Sequence, residues 1–221
     1  MKDKTTLTPV LEKLEDLFSK LNSEFYGGKL QAPVITISPD TTKGAYGWCT
    51  GWKAWTDKAP KPLSEMTPEE VKAAESEGYY EINLCAEHIA RPFMDTVGTL
   101  LHEMAHLYNC QMGIQDTSRG GFYHNKKFKE TAEAHGLIVE KTPKYGYSKT
   151  ILTDEAKAFV KSLGDTKFDL YRKAIPHVAG SKKSSSSRKY VCPCCGAIVR
   201  ATKEVNIVCG DCDTPFEEET E

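Results

Sequence analysis

The segment TLLHEMAHLYN, residues 99–109, holds two histidines four positions apart with a glutamate directly after the first. An α-helix completes a turn in about 3.6 residues, so His102 and His106 lie on one face and their rings can reach the same ion. Glu103 lies about 100° further round such a helix, where a base for an activated water belongs. The spacing therefore predicts a helix that carries two metal ligands and a general base.

A third ligand is expected, because catalytic zinc usually takes three protein ligands and one water. His124 follows His106 by 18 residues and precedes a predicted second helix, and the glycines at 120–121 allow the loop to turn back. Glu133 is the alternative ligand, although it is about half a turn out of helical phase with His124. His135 falls at a helix C-terminus, where interaction with the helix dipole explains it. We therefore predict His124 as the third ligand.

Two CxxC pairs near the C-terminus, Cys192–Cys195 and Cys209–Cys212, are separated by 13 residues. Four thiolates in two such pairs form the closed tetrahedral arrangement of a structural zinc site. The segment between them is too small for a hydrophobic core of its own, so metal must stabilise the module. Cys194 is an alternative ligand, but Cys192 with Cys195 has the regular spacing. A disulfide is the less favoured explanation of these pairs.

Composition limits the classes of protein. The 221 residues are enough for one well-buried domain and a small appendage. The net charge of −2 gives no global basic field to hold nucleic acid, although a local patch is compatible with it. Acidic residues stand where a signal peptide needs an apolar core, and no apolar run approaches the roughly 18 residues of a membrane span. These features predict a cytoplasmic protein with no membrane partner.

Hydrophobic periodicity predicts four helices and three strands. The helices are 8–26 with Thr8 as cap, a helix between Asp95 as cap and Gly113 as its end, 125–135, and 154–163 with Thr153 as cap. The strands are 34–38, 45–52 and 79–85. Residues 114–123 are predicted to form a loop, and 57–78 a surface insertion in which 67–70 begins a short helix.

The three tryptophans fall on or next to the second predicted strand. Trp48 and Trp52 lie on the same face of this strand, because successive side chains alternate between faces, and Trp55 lies on the other face. Core packing is the preferred interpretation, with peptide addition to an exposed sheet edge as the alternative.

Composition changes sharply at GSKKSSSSRKY, residues 180–190, where consecutive serines flanked by basic residues leave nothing apolar to bury. This predicts a flexible linker. The resulting division is a domain with the histidine metal site at 1–178, a basic linker at 179–190, a four-cysteine zinc ribbon at 191–216 and an acidic tail at 217–221.

Residues 7–160 resemble the SprT-like metallopeptidase family, which includes the DNA–protein crosslink protease Spartan and many bacterial and phage proteins. The matching segments are EINLCAEH, TLLHEMAHLYN, GIQDTSRGGFYHNKKFKETAEAHGL and YGYSKT. The resemblance implies an α+β fold, a compact zincin-like domain with a small mixed sheet, here followed by a C-terminal zinc ribbon. It implies zinc ligation by His102, His106 and His124 and catalysis by Glu103. The 57–78 insertion has no clear counterpart in the family.

Together the residues and the resemblance predict a zinc metallopeptidase in which Glu103 activates a zinc-bound water. Two Zn²⁺ ions are expected per chain, one catalytic and one structural. The resemblance implies substrates among DNA-associated proteins, and the basic linker with Arg200 and Lys203 favours DNA contact, which the acidic tail opposes. The alternatives are a catalytically silent, zinc-stabilised DNA- or protein-binding adaptor and a hydrolase of non-peptide bonds. The presence of Glu103 favours the enzyme over the adaptor.

Overall fold

The structure is a computed structural model that describes residues 6–39, 44–59, 61–164, 167–168, 170–173 and 188–219. The chain divides into two compact units, Met1–Ala174 and Ile175–Glu221. The linker predicted over 179–190 lies outside the described residues, except for 188–190, which belong to a strand. No helix of the described ranges is long and apolar enough to cross a membrane.

The first helix, α1 (Thr8–Tyr26), buries the apolar stripe predicted for it. The predicted cap at Thr8 is wrong, because Thr8 is the first helical residue and Leu7 occupies the cap position without a side-chain hydrogen bond. Pro9 lies in the first turn, where its missing N–H costs no helical bond. Gly27 ends the helix with a φ of 61°, a conformation that glycine adopts without strain.

The first sheet contains β1 (Val34–Ser38), β2 (Gly47–Cys49) and β3 (Glu81–Cys85) in the order β1-β3-β2. It is mixed, because β1 is parallel to β3 and β2 is antiparallel to it. The strand expected at 45–52 is therefore only three residues long, and it lies at an edge. A Cβ at Gly47 would come within 2.7 Å of the Asn83 carbonyl oxygen, so this close approach requires glycine.

The histidine-bearing helix is α3 (Phe93–Gln111), and its apolar residues between Val97 and Leu107 are fully buried. The predicted cap at Asp95 is wrong, because Pro92 occupies the cap position and Asp95 lies inside the first turn. An acidic side chain is still favourable there, since it faces the positive end of the helix dipole. Gly113 follows the helix end with a φ of 67°.

A second sheet was not predicted from the sequence. It contains β4 (Thr117–Ser118), β5 (Tyr123–His124), β6 (Leu137–Thr142) and β7 (Gly146–Leu152) in the order β4-β5-β7-β6. Two of these short strands lie where a loop was predicted. Two helices are adjacent to these strands in the chain: α4 (Lys126–Ala134) connects β5 to β6, and α5 (Asp154–Ser162) follows β7. The Thr153 hydroxyl accepts a hydrogen bond from the Ala156 N–H at 3.1 Å, which confirms the predicted cap of α5.

The insertion forms the short helix α2 (Pro68–Ser76), which begins in the predicted segment 67–70, and a capping box of Thr67 and Glu70 starts it. None of its described residues is buried. Core packing is the wrong interpretation of Trp52 and Trp55, whose exposed fractions are 68% and 45%. Trp55 instead forms an isolated bridge with Tyr79 beside the insertion.

The second unit is a three-stranded antiparallel sheet of β8 (Arg188–Val191), β9 (Ile198–Ala201) and β10 (Glu217–Glu219), in the order β10-β8-β9. Residues 217–219, assigned to an acidic tail from composition, form the edge strand of this sheet. Glu218 pairs with Arg188 at 3.0 Å, and Glu219 pairs with Lys189. Opposite charges on facing strands explain why an acidic segment joins the sheet.

Candidate functional site

Three imidazole rings converge between α3 and β5. His102 and His106 lie on successive turns of α3, and His124 is the last residue of β5. The Nε2 atom of His124 lies 3.2 Å from Nε2 of His102 and 3.1 Å from Nε2 of His106. The structure therefore brings the three candidate ligands of the first metal site together around one point.

His124 is held in place by the short strand on which it lies. Its backbone N–H donates to the Tyr145 carbonyl oxygen at 3.0 Å, and β5 pairs with β7 at Gly146. A Cβ at Gly146, where φ is 70°, would come within 2.2 Å of the His124 carbonyl oxygen, so this pairing requires glycine. The next residue, Asn125, caps α4 through its side chain. The candidate ligand therefore stands between a strand and a helix that both restrict it.

The ring of Phe128 forms the floor of the site. It is fully buried, and its centroid lies 4.6 Å from the ring of His102, 4.5 Å from His106 and 4.7 Å from His124. Phe128 belongs to the first turn of α4, directly after the Asn125 cap. An apolar floor limits the rotamers of the three rings and excludes water behind them.

The donor set fits zinc. Tetrahedral coordination with Zn–N bonds of about 2.0–2.1 Å places two nitrogen ligands about 3.3 Å apart, close to the separations found here. Burial lowers the pKa of His102 well below its usual value and lowers the pKa of His124 to about 4. Metal ligation requires neutral imidazole, so these environments favour the ligating form.

Polar side chains orient the far side of two rings. The Asp116 carboxylate lies 2.7 Å from Nδ1 of His106 and accepts a second hydrogen bond from the Asn109 amide at 2.9 Å. Asn109 in turn accepts a bond from the Thr131 hydroxyl at 2.7 Å. The Thr150 hydroxyl lies 3.1 Å from Nδ1 of His102. Sequence reasoning did not identify these residues, because a lone aspartate in a polar loop carries no periodic signal.

Glu103 is a second buried carboxylate of the site beside Asp116, with an exposed fraction of 5%. Burial raises its pKa to about 7, although the backbone N–H of Cys49 donates to it and opposes that rise. Cys49 ends the edge strand β2, so the first sheet supplies the partner of this carboxylate. A carboxyl group with a pKa near neutrality can both take up and release a proton.

The alternative ligands lie outside the triad. Glu133 pairs with Lys129 on the outer face of α4. The ring of His135 stacks on Tyr26 with 4.1 Å between centroids, and its Nδ1 lies 2.6 Å from the Thr131 carbonyl oxygen. The structure gives both residues other partners and brings neither of them to the triad.

The second unit gathers the other predicted ligands. The sulfur atoms of Cys192, Cys195, Cys209 and Cys212 all lie within 4.8 Å of one another. Sγ of Cys195 lies 3.7 Å from Sγ of Cys209, close to the roughly 3.8 Å expected for two thiolates on a tetrahedral zinc with Zn–S bonds of about 2.3 Å.

Two turns of equivalent geometry present these thiols. The Gly196 N–H donates to the Cys192 carbonyl oxygen at 2.9 Å, and the Asp213 N–H donates to the Cys209 carbonyl oxygen at 2.8 Å. Cys194 is not one of the four cysteines that lie together, although its side chain is hydrogen-bonded to Cys212. The histidine triad and this cysteine cluster are both compatible with zinc.

A family model described as the SprT-like family matches residues 14–145, which is more than half of the chain. The chain belongs to the SprT-like family. The matched range contains the three histidines, Glu103 and Asp116, and it ends before Thr150 and the cysteine cluster. SprT-like proteins are generally associated with metallopeptidase-like function. No curated protein and no solved structure matches the chain.

Proposed function

We propose that this SprT-like protein is a zinc-dependent peptidase in which His102, His106 and His124 hold the metal and Glu103 is the general base. One observation carries the proposal: three imidazole Nε2 atoms converge beside a buried carboxylate on the same helix. A purely structural metal site has no need for such a carboxylate. Membership of the SprT-like family supports the same interpretation.

Bound zinc would act as a Lewis acid and would lower the pKa of water at the site. Glu103 supplies the proton transfers. Its carboxylate takes a proton from the attacking water and then delivers that proton to the nitrogen of the leaving amine. The Cys49 N–H holds the carboxylate in one orientation, while burial raises the pKa of Glu103 and so favours uptake of the proton from water.

The edge strand β2 supports a peptide as the substrate. Among the described strands, β2 pairs only with β3, so no described strand lies along its other edge, where the Cys49 N–H donates to Glu103. Its last residue, Cys49, contacts Glu103, and its first residue, Gly47, lies against α3 near Thr99. An extended chain paired along β2 would pass the base, with main-chain hydrogen bonds supplying the affinity.

The direct test is zinc content together with peptide-bond cleavage. We expect two zinc ions per chain and cleavage of a protein substrate that a strong chelator abolishes and added zinc restores. Chelator-resistant cleavage by the purified chain would contradict the proposal.

Asp116→Asn is expected to weaken zinc binding at the histidine site about 10- to 100-fold. Asp116 accepts a hydrogen bond from His106 Nδ1, which points Nε2 at the metal. The asparagine amide cannot supply the same charge and can present a donor to that nitrogen. Competition with a chromophoric chelator measures the affinity. Asp154→Asn, which changes an exposed aspartate of α5, is the matched control and should bind zinc as the wild type does.

We further propose that the substrate is a DNA-associated protein and that the second unit contacts DNA. Arg200 of β9 and Lys203 are available there as basic side chains outside the ion pairs of β8. The basic residues of β8 are different, because Arg188 and Lys189 pair with glutamates of β10 and are partly neutralised. Any DNA affinity is therefore expected to be modest and salt-dependent.

Glu218→Gln should raise the affinity for DNA, because it frees Arg188 from its ion pair. Arg200→Glu with Lys203→Glu should lower the affinity and flatten its salt dependence, by a slope of about one per lost phosphate contact. Fluorescence anisotropy with an oligonucleotide at graded salt concentrations measures both effects. If neither variant changes binding, or if the wild type does not bind at low salt, the second unit has another role.

A further inference from the structure

Two cysteines that belong to neither metal cluster meet beside Glu103. Cys49 ends the edge strand β2, and Cys110 lies in the last turn of α3. Both sulfur atoms lie close to one backbone atom, the Thr50 carbonyl oxygen. This oxygen is 3.6 Å from Cys49 Sγ and 3.9 Å from Cys110 Sγ. The two thiols therefore occupy one small space between the strand and the helix.

Both thiols are half-buried, so a small oxidant can reach them. Hydrogen bonding between the pair raises the pKa of Cys49 and lowers the pKa of Cys110. The Cys110 sulfur is therefore the better nucleophile, and the Cys49 thiol stands next to it as a proton donor. Cys85, the other cysteine of this unit, is fully buried and inert by comparison.

We propose that Cys49 and Cys110 are a modification site at which a peroxide forms a reversible disulfide. Hydrogen peroxide oxidises the Cys110 thiolate to a sulfenic acid, and its O–O bond breaks to release hydroxide, which becomes water. The Cys49 sulfur then attacks the sulfenic sulfur, and the sulfenic oxygen leaves as a second water. Two thiols and one peroxide thus become one disulfide and two waters.

The cross-link would act on Glu103, the proposed general base. An S–S bond of about 2.05 Å draws β2 towards the last turn of α3. Because the Cys49 N–H is the backbone donor to Glu103, movement of Cys49 changes the position of that carboxylate. This effect on cleavage rests on the proposed peptidase function, whereas formation of the disulfide does not.

The experiment treats the zinc-loaded, full-length chain with a small excess of hydrogen peroxide, blocks free thiols and maps disulfides by mass spectrometry. We expect a linked pair of peptides containing Cys49 and Cys110, which dithiothreitol separates. In Cys49→Ser the link should be absent, and a dimedone adduct should accumulate on Cys110. Cys85→Ser is the matched control and should keep the link. Sulfinic acid on Cys110 without a link, or links only among the cysteines of the second unit, would overturn the proposal.

Cleavage activity gives a separate readout. Oxidised wild type should lose at least about 90% of its activity and regain it with reductant, while Cys49→Ser with intact zinc content should lose less under the same treatment. A mapped disulfide with unchanged activity would overturn the coupling to Glu103. A chain that forms the disulfide but cleaves nothing when reduced would instead count against the peptidase function, so the two failures are distinguishable.

Discussion

Glu103→Gln should lower kcat/KM for peptide cleavage by at least about 10²-fold while leaving both zinc ions bound. Glutamine has nearly the same shape as glutamate, and its amide oxygen can still accept the Cys49 N–H that holds the carboxylate. It cannot accept a proton from water, so the proton transfer is lost and the metal site is kept. Cleavage kinetics with metal analysis of the same preparation measure the two effects.

The control for this variant is Glu133→Gln. Glu133 is a carboxylate on the outer face of α4, paired with Lys129, and it does not reach the histidine triad. Its replacement should leave both cleavage and zinc content unchanged. An active Glu103→Gln enzyme would remove Glu103 from the role of base. A wild type that binds two zinc ions and cleaves nothing would support the adaptor alternative.

His124→Ala should reduce the zinc content from two ions to one per chain and abolish cleavage. Only His102 and His106 would remain as ligands. A catalytic zinc site usually needs three protein ligands, so the ion should be lost. The cysteine cluster should keep its ion, because its four ligands all belong to the second unit. Elemental analysis after dialysis against a weak chelator measures the stoichiometry.

His135→Ala is the matched control for the loss of a ring. His135 stacks on Tyr26 and contacts the Thr131 carbonyl oxygen, away from the triad. Its replacement should cost stability through lost packing and leave two zinc ions bound. If His124→Ala also retains two ions, the third ligand has been assigned wrongly.

Local signals predicted the helices well and their starts less well. The stripe of α1, the start of α2 at 67–70 and the Thr153 cap of α5 each depend on residues within one or two turns, so a short window of sequence contains them. The predicted caps at Thr8 and Asp95 were wrong, because a short window of sequence does not show which residue caps a helix. Several polar residues near a helix start can cap it, and the approach of the preceding chain decides which one does.

The second sheet shows what short windows miss. Its strands β4 and β5 are two residues long and contain no alternating apolar pattern that could be recognised. They exist because β5 pairs with β7, which lies more than twenty residues further along the chain. This pairing also sets the position of His124. The sequence could therefore identify His124 as a candidate ligand, but it could not show what holds the residue in place.

The sequence by itself determined the donor types and their local spacing: two histidines on successive turns of one helix with a glutamate between them, a third histidine before the next helix, and four cysteines in two pairs. These follow from helical and turn geometry, which involves only neighbouring residues. Tertiary structure alone decided that Asp116 and Thr150 orient the rings, that Glu103 is buried with a raised pKa, and that Cys49 meets Cys110. Burial and contact between distant segments depend on how the whole chain packs, and no local pattern encodes them.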